Sequence, residues 1–199
     1  MANTPSRIYI AGIASIGLGI FIFLLIFLPV AREEVRYSVS RMLPAPAVSP
    51  TPAEPASREF GIVIPKIGAN APVVPEVDPY NSAEYQLRLT KGVAHAKGTA
   101  YPGESGNIFM FAHSAGDWTQ ANRYNAVFYL ITKLVPGDEI TLWYNFNPFR
   151  YVVSETKIID ATEVQYLDPH YSAKTLSLMT CWPPGTTIRR FLVTATLQP

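Results

Sequence analysis

Residues 175–197 read TLSLMTCWPPGTTIRRFLVTATL. From Thr175 to Cys181 the run is apolar and β-branched with no breaker, which predicts a strand. Pro183, Pro184 and Gly185 then force a turn, because proline lacks the N–H that a ladder needs and glycine admits backbone angles closed to other residues. A second strand is expected from Ile188 to Leu197. The unit carries the single cysteine of the chain at its mouth, and Arg189 and Arg190 enter its return strand.

Side chains alternate faces along a strand. On the return strand Phe191, Val193, Ala195 and Leu197 form an apolar row that should face an interior. A regular strand would then turn Arg189 inward and Arg190 outward. On the first strand Leu176, Leu178 and Thr180 share a face, which leaves Cys181 on the outer one beside Arg190. A free cysteine is ordinarily a small buried hydrophobe, and an arginine pair ordinarily a surface charge. A thiol at a strand end near a guanidinium is also a candidate nucleophile. Attack on an amide carbonyl builds negative charge on oxygen, and arginine's planar fork is suited to meet it. Thr180 is a candidate to line a substrate groove.

Short β-rich runs recur at Phe60–Pro65, Ala71–Val77, Gly92–Ala94, Asn107–His113, Glu139–Tyr144 and Tyr151–Ile159. Turn signals separate them at Pro102-Gly103, Pro136-Gly137-Asp138 and Asn147-Pro148. Such spacing predicts an all-β sandwich or closed barrel. Helix is expected only at Ser82–Leu89 and Asn125–Lys133. A thiol needs a base, and the chain offers three histidines. His170 follows Asp168-Pro169 in a turn, and His95 reads as a structural hydrogen-bonding residue. His113 ends the buried-looking run Ile108–Ala112, as Cys181 ends another. Two strand ends meeting at one rim is how a barrel builds a site from distant sequence.

Residues 8–31 carry no charged side chain. As a helix they would extend ~36 Å, enough for a ~30 Å hydrocarbon core. Pro29 is a poor fit three residues before a cut at Ala31, so an uncleaved anchor is expected over a cleaved signal peptide. The expected organisation is a tail at 1–7, a transmembrane signal-anchor at 8–31, a Pro-rich stalk at 32–58 and a β-domain at 59–199. The stalk follows from Pro44, Pro46, Pro50, Pro52 and Pro55, a composition that cannot bury enough surface to fold. Flanking basic residues do not fix the orientation, since Arg7 stands against Arg32, Arg36 and Arg41, and long domains cross largely regardless of such charges.

The composition is 48% hydrophobic and 16% charged, with a net charge of +1. Near-neutrality without a basic cluster argues against nucleic acid as a partner. One cysteine excludes an intramolecular disulfide framework, and the histidine spacing predicts no metal site.

Three motifs in order carry a resemblance to sortases. Leu176-Ser177-Leu178-Met179-Thr180-Cys181 resembles their TLxTC strand, and Arg190-Phe191-Leu192-Val193 their arginine-bearing last strand. Gly98 to Asn107, followed by Phe111-Ala112-His113-Ser114, resembles their histidine segment. The likeness runs from about Phe60 to Leu197. It implies a closed eight-stranded β-barrel and a cysteine transpeptidase that requires no cofactor. Cys181 would be the nucleophile, His113 the acid and base, Arg190 the oxyanion or substrate-positioning group with Arg189 as alternative, and Thr180 a substrate-binding residue. The implied substrates are surface proteins with an LPxTG-like sorting signal, and the implied acceptor is an amine on a cell-wall precursor or another protein. An N-terminus inside and a catalytic domain outside a single-pass membrane anchor also come from the resemblance. No lid with an Asp-Pro-aromatic motif and no second hydrophobic span is evident, so a pilin-polymerising member is the weaker expectation. Two rivals remain. An L,D-transpeptidase fits less well, because there arginine closely follows a glycine-flanked cysteine. A non-enzymatic membrane-tethered β-domain would bind wall or protein ligands without a reactive thiol.

Overall fold

The computed structural model describes residues 9–23, 35, 38–39, 54–114, 127–167 and 173–199. The chain divides into two units, Met1–Ser49 and Pro50–Pro199. In the first, residues 9–23 form an exposed helix, α1. No helix among the described residues is long and apolar enough to cross a membrane. Residues 1–8 and 24–31, which complete the expected tail and anchor, lie outside the described residues.

In the second unit the described residues form eight strands: β1 Phe60–Ile64, β2 Ala69–Val77, β3 Val93–Ala96, β4 Gly106–Phe111, β5 Glu139–Tyr144, β6 Asn147–Asp160, β7 Lys174–Trp182 and β8 Arg189–Leu197. They close into a barrel in the order β1-β2-β3-β4-β7-β8-β6-β5, with β5 returning to pair with β1. Most neighbours are antiparallel, but β2 with β3 and β4 with β7 are parallel. Parallel neighbours need a crossover connection, and helix α2 (Ser82–Leu89) lies in the one between β2 and β3. Much of the core is aliphatic, with Ile62, Ile64, Leu142, Leu176, Leu178 and Val193 all 0% exposed, and Phe109, Phe128 and Tyr151 are buried among the largest side chains. Burying each such side chain stabilises the fold by about 1.5–3 kcal/mol.

Two local readings change. Asn147-Pro148 has turn composition, yet both residues belong to β6, paired with Tyr144 and Trp143. The turn is made by Asn145 and Phe146 at φ 48° and 66°, the left-handed pair that matches the twist of a two-residue hairpin. Of the second expected helix, the described part is a 3-10 helix at Tyr129–Lys133.

The end of the expected stalk also has a place in the fold. Ala56 N–H donates to Asn70 Oδ1 at 2.7 Å, and Asn70 Nδ2 returns a bond to Glu54 O at 2.8 Å. The N–H groups of Asn145 and Phe146 donate to Glu59 O and Arg58 O. Gly61 permits this approach, since a side chain there would collide with the Ser57 carbonyl. Residues 54–58 thus lie against the barrel.

His95, on β3, is 0% exposed. Its Nε2 lies 3.1 Å from Ala100 O and 3.0 Å from Thr99 Oγ1, whose own proton goes to Ala96 O. A carbonyl can only accept, so Nε2 carries the proton and Nδ1 the lone pair. Nδ1 is buried without a hydrogen-bond partner, 3.9 Å from Glu76 Oε1. Burial holds the His95 pKa below 6.5, against the opposing pull of the Ala100 bond, Glu76 and Glu104. In the unfolded chain this histidine takes its proton near 6.5, while the folded barrel resists it. Stability therefore falls as pH drops below about 6.5. His95→Gln keeps a donor for Ala100 and removes the titration. Between pH 7 and pH 5 the unfolding midpoint of the variant should fall less than that of the native chain, and equal slopes would contradict the assignment.

Candidate functional site

Because β4 and β7 run parallel, both arrive at the same rim of the barrel, paired residue for residue from Gly106↔Lys174 to Phe111↔Met179. Beyond that last pair the two chains continue to His113 and Cys181. β8 starts back from the same rim, antiparallel to β7, with Cys181 directly opposite Arg190 and no break in register. Directly opposed residues project from one face of a sheet, with Cβ atoms about 4.5–5.5 Å apart. Cys181, His113, Arg190 and Thr180 all line one groove of about 480 Å³.

Each side chain is held by a local device. Where the β4–β7 ladder ends, Ala112 N–H donates to Met179 O at 3.3 Å and Thr180 Oγ1 donates to Ala112 O at 2.9 Å. Thr180 is 2% exposed, so this buried bond ties the cysteine strand to the residue preceding His113. After Trp182 the chain turns through Gly185 at φ 78°, closed by Thr186 N–H to Pro183 O at 3.0 Å. The turn presents Thr187 O, and Arg190 Nη1 donates to it and to Arg189 O, at 3.0 Å each. One nitrogen of the guanidinium thereby anchors the group.

Arg189 departs from the expected inward position. Its side chain is 59% exposed, and its Nε lies 3.8 Å from Asp160 Oδ1. As the first residue of β8 it stands where the inward-facing row has already run out of barrel to face. His95 is occupied inside the barrel, and His170 lies outside the described residues. Among the described residues, no group of three or more His, Cys, Asp or Glu side chains is arranged to hold a metal ion.

Sequence reasoning did not anticipate the groove walls. Tyr85, Gln86 and Leu89 of α2 form one side, with Pro79 before the helix. Asn81 caps α2 by accepting from Glu84 N–H at 3.2 Å, which fixes where the helix begins. The Tyr85 ring meets Phe111 of β4 edge-on at 6.0 Å. Leu167, Gly185, Thr186 and Thr187 supply further wall. These residues carry no local signal of such a role, because only barrel closure brings them together.

Comparison with known proteins supplies independent observations. The family model described as Sortase domain matches residues 62–198. Sortase D of Bacillus subtilis (strain 168) is 29% identical over 133 residues, covering 65% of this chain and 59% of that protein. Sortase A of Listeria monocytogenes is 40% identical over 68 residues, 34% of this chain and 30% of that one. The chain thus spans less than two thirds of either curated relative. Among solved structures, a Clostridium perfringens sortase D5 transpeptidase is similar with a TM-score of 0.58 at 26% identity, covering 71% of this chain and 79% of that one. The L. monocytogenes sortase A structure gives 0.57 at 26%, covering 70% and 86%.

The Thr180 clamp can be measured directly. Thr180→Val keeps the shape and removes the donor, leaving Ala112 O unpaired in a buried place. It should cost about 1–3 kcal/mol in denaturant unfolding, whereas Thr180→Ser should recover most of that loss. A valine variant as stable as the native chain would show that the bond carries no weight.

Proposed function

The chain belongs to the sortase family, and from that premise we propose that it is a membrane-anchored cysteine transpeptidase acting on an LPxTG-like sorting signal. The observation that carries the reading is the register that sets Cys181 across from Arg190, with His113 lining the same groove. Family membership sets the L,D-transpeptidase alternative aside.

In the proposed reaction the Cys181 thiolate attacks the carbonyl carbon after the threonine of the signal. A tetrahedral oxyanion forms, and the Arg190 guanidinium, anchored through Nη1, offers its remaining N–H groups to that oxygen or to a neighbouring substrate carbonyl. His113 gives a proton to the departing amide nitrogen, so the C–N bond breaks and a thioester to Cys181 remains. An amine on a cell-wall precursor or another protein then attacks the thioester, losing its proton to His113. The new amide forms as the C–S bond breaks and the Cys181 thiolate returns; water in place of the amine gives hydrolysis. Thr180 contributes to the groove through its position rather than its hydroxyl, which is committed to Ala112 O.

The uncharged run 8–31 is the proposed anchor, with the N-terminus cytoplasmic and the barrel outside the cell. The proline-rich residues that follow it would serve as the stalk, ending where residues 54–58 join the barrel.

The full chain, purified in detergent and incubated with LPxTG-like peptides, should accumulate a thioacyl adduct on Cys181 detectable by mass spectrometry. Cys181→Ala should abolish both adduct and turnover. Cleavage by that variant, or no adduct with any peptide of the set, would end the reading and favour a non-enzymatic binding domain. Lysine loses the fork, so Arg190→Lys should lower kcat about a hundredfold. Arg189→Lys should change it less than about twofold, as expected of an exposed ion pair. The reverse ranking would move the role to Arg189.

A further inference from the structure

Asn107 is the second residue of β4, at the end of the strand away from His113, and is 2% exposed. Its Oδ1 accepts from Thr175 Oγ1 and from Ser177 Oγ, both at 3.0 Å. Its Nδ2 donates to Tyr166 O at 2.8 Å. The first two bonds reach β7, which the backbone ladder already holds. The third reaches the short 3-10 turn Gln165–Leu167, which belongs to no strand. The next residue, Leu167, is part of the groove wall. Lys157 on β6 adds a second attachment, with its Nζ 4.6 Å from the centre of the Tyr166 ring.

Asparagine suits this position better than its nearest relatives. Two hydroxyl donors require an acceptor, and the Tyr166 carbonyl requires a donor, so one amide meets all three. Aspartate would offer only acceptors when ionised, and leucine would remove the partner of the buried Ser177 hydroxyl and of the part-buried Tyr166 carbonyl.

We propose that Asn107 is a positioning residue for substrate binding: it docks residues 163–167 onto the barrel and so sets the part of the groove wall formed by Leu167. The inference rests on the transpeptidase reading for the identity of the bound peptide, but not for the docking itself. Asn107 lies outside the Cys181–His113–Arg190 group, so it should govern how well a peptide is held and not how fast the thiol reacts.

The test compares the full chain with Asn107→Asp, Lys157→Met and Ser177→Ala. Amide hydrogen exchange at residues 163–167 should quicken in Asn107→Asp, and to a lesser degree in Lys157→Met, but not in Ser177→Ala. With the LPxTG-like peptide, Asn107→Asp should raise KM about five- to tenfold, the loss of roughly one hydrogen bond, with kcat altered less than about twofold. Labelling of Cys181 by iodoacetamide should keep its native rate. Lys157 is partly exposed, so its variant retains the test if Asn107→Asp fails to fold, and it should raise KM about twofold. Unchanged exchange at 163–167 in the folded variants would overturn the proposal. So would a loss in kcat with KM unaltered. If the native chain turns over no peptide, the functional reading fails while the exchange measurement still decides the docking.

Discussion

The parallel pairing of β4 with β7 is the constraint on which the rest of the site depends. Two neighbouring strands that run the same way end at the same place. A cysteine at the end of one and a histidine just past the end of the other therefore share a rim although 67 positions separate 113 from 181. The pairing is reinforced at both limits by side chains that do not belong to the ladder. Asn107 receives two β7 hydroxyls at its start, and Thr180 binds the Ala112 carbonyl at its finish. Between those limits the strands are buried and apolar, so a slip of one residue would turn the wrong face inward. Such a slip would also break the polar contacts at both ends.

Much of this was legible in the residues because period-two alternation survives barrel formation. The row Leu176, Leu178, Thr180 is buried as expected, and Cys181 and Arg190 share a face as the alternation required, with the register setting them directly opposite one another. β5 was readable to its boundaries, since clear turn chemistry precedes it and its own residues alternate. Alternation failed at Arg189 for a geometric reason: it describes which way a side chain points, not whether any barrel remains in that direction. At the β5–β6 hairpin, composition pointed to Asn147-Pro148, while the chain turned one pair earlier by placing Phe146 in a left-handed conformation. A bulky residue at positive φ is not a turn signal in sequence.

The features that remained hidden are those made by backbone groups and by closure. Nothing in the identity of Thr187 foretells that its carbonyl will hold a guanidinium. Nothing local in Ser82–Leu89 foretells that three of its residues will face a groove. Asn107 was visible only as part of a longer motif, because its value lies in satisfying three partners from two other segments. The sortase resemblance supplied what single-residue chemistry could not, namely which strand ends belong together.

Barrel closure has one more consequence. β1 pairs with β5 and every strand has a neighbour on each side, although β6 beyond Val152 pairs with β8 alone; around the groove, β7 is held between β4 and β8. Between these three strands an extended peptide cannot insert itself as another strand, the mode in which main-chain bonds give affinity with little regard to side chains. Whatever the groove accepts must be recognised across a rim, by the side chains of α2, the β7–β8 turn and Leu167. A closed sheet therefore makes its ligand legible mainly through side-chain identity.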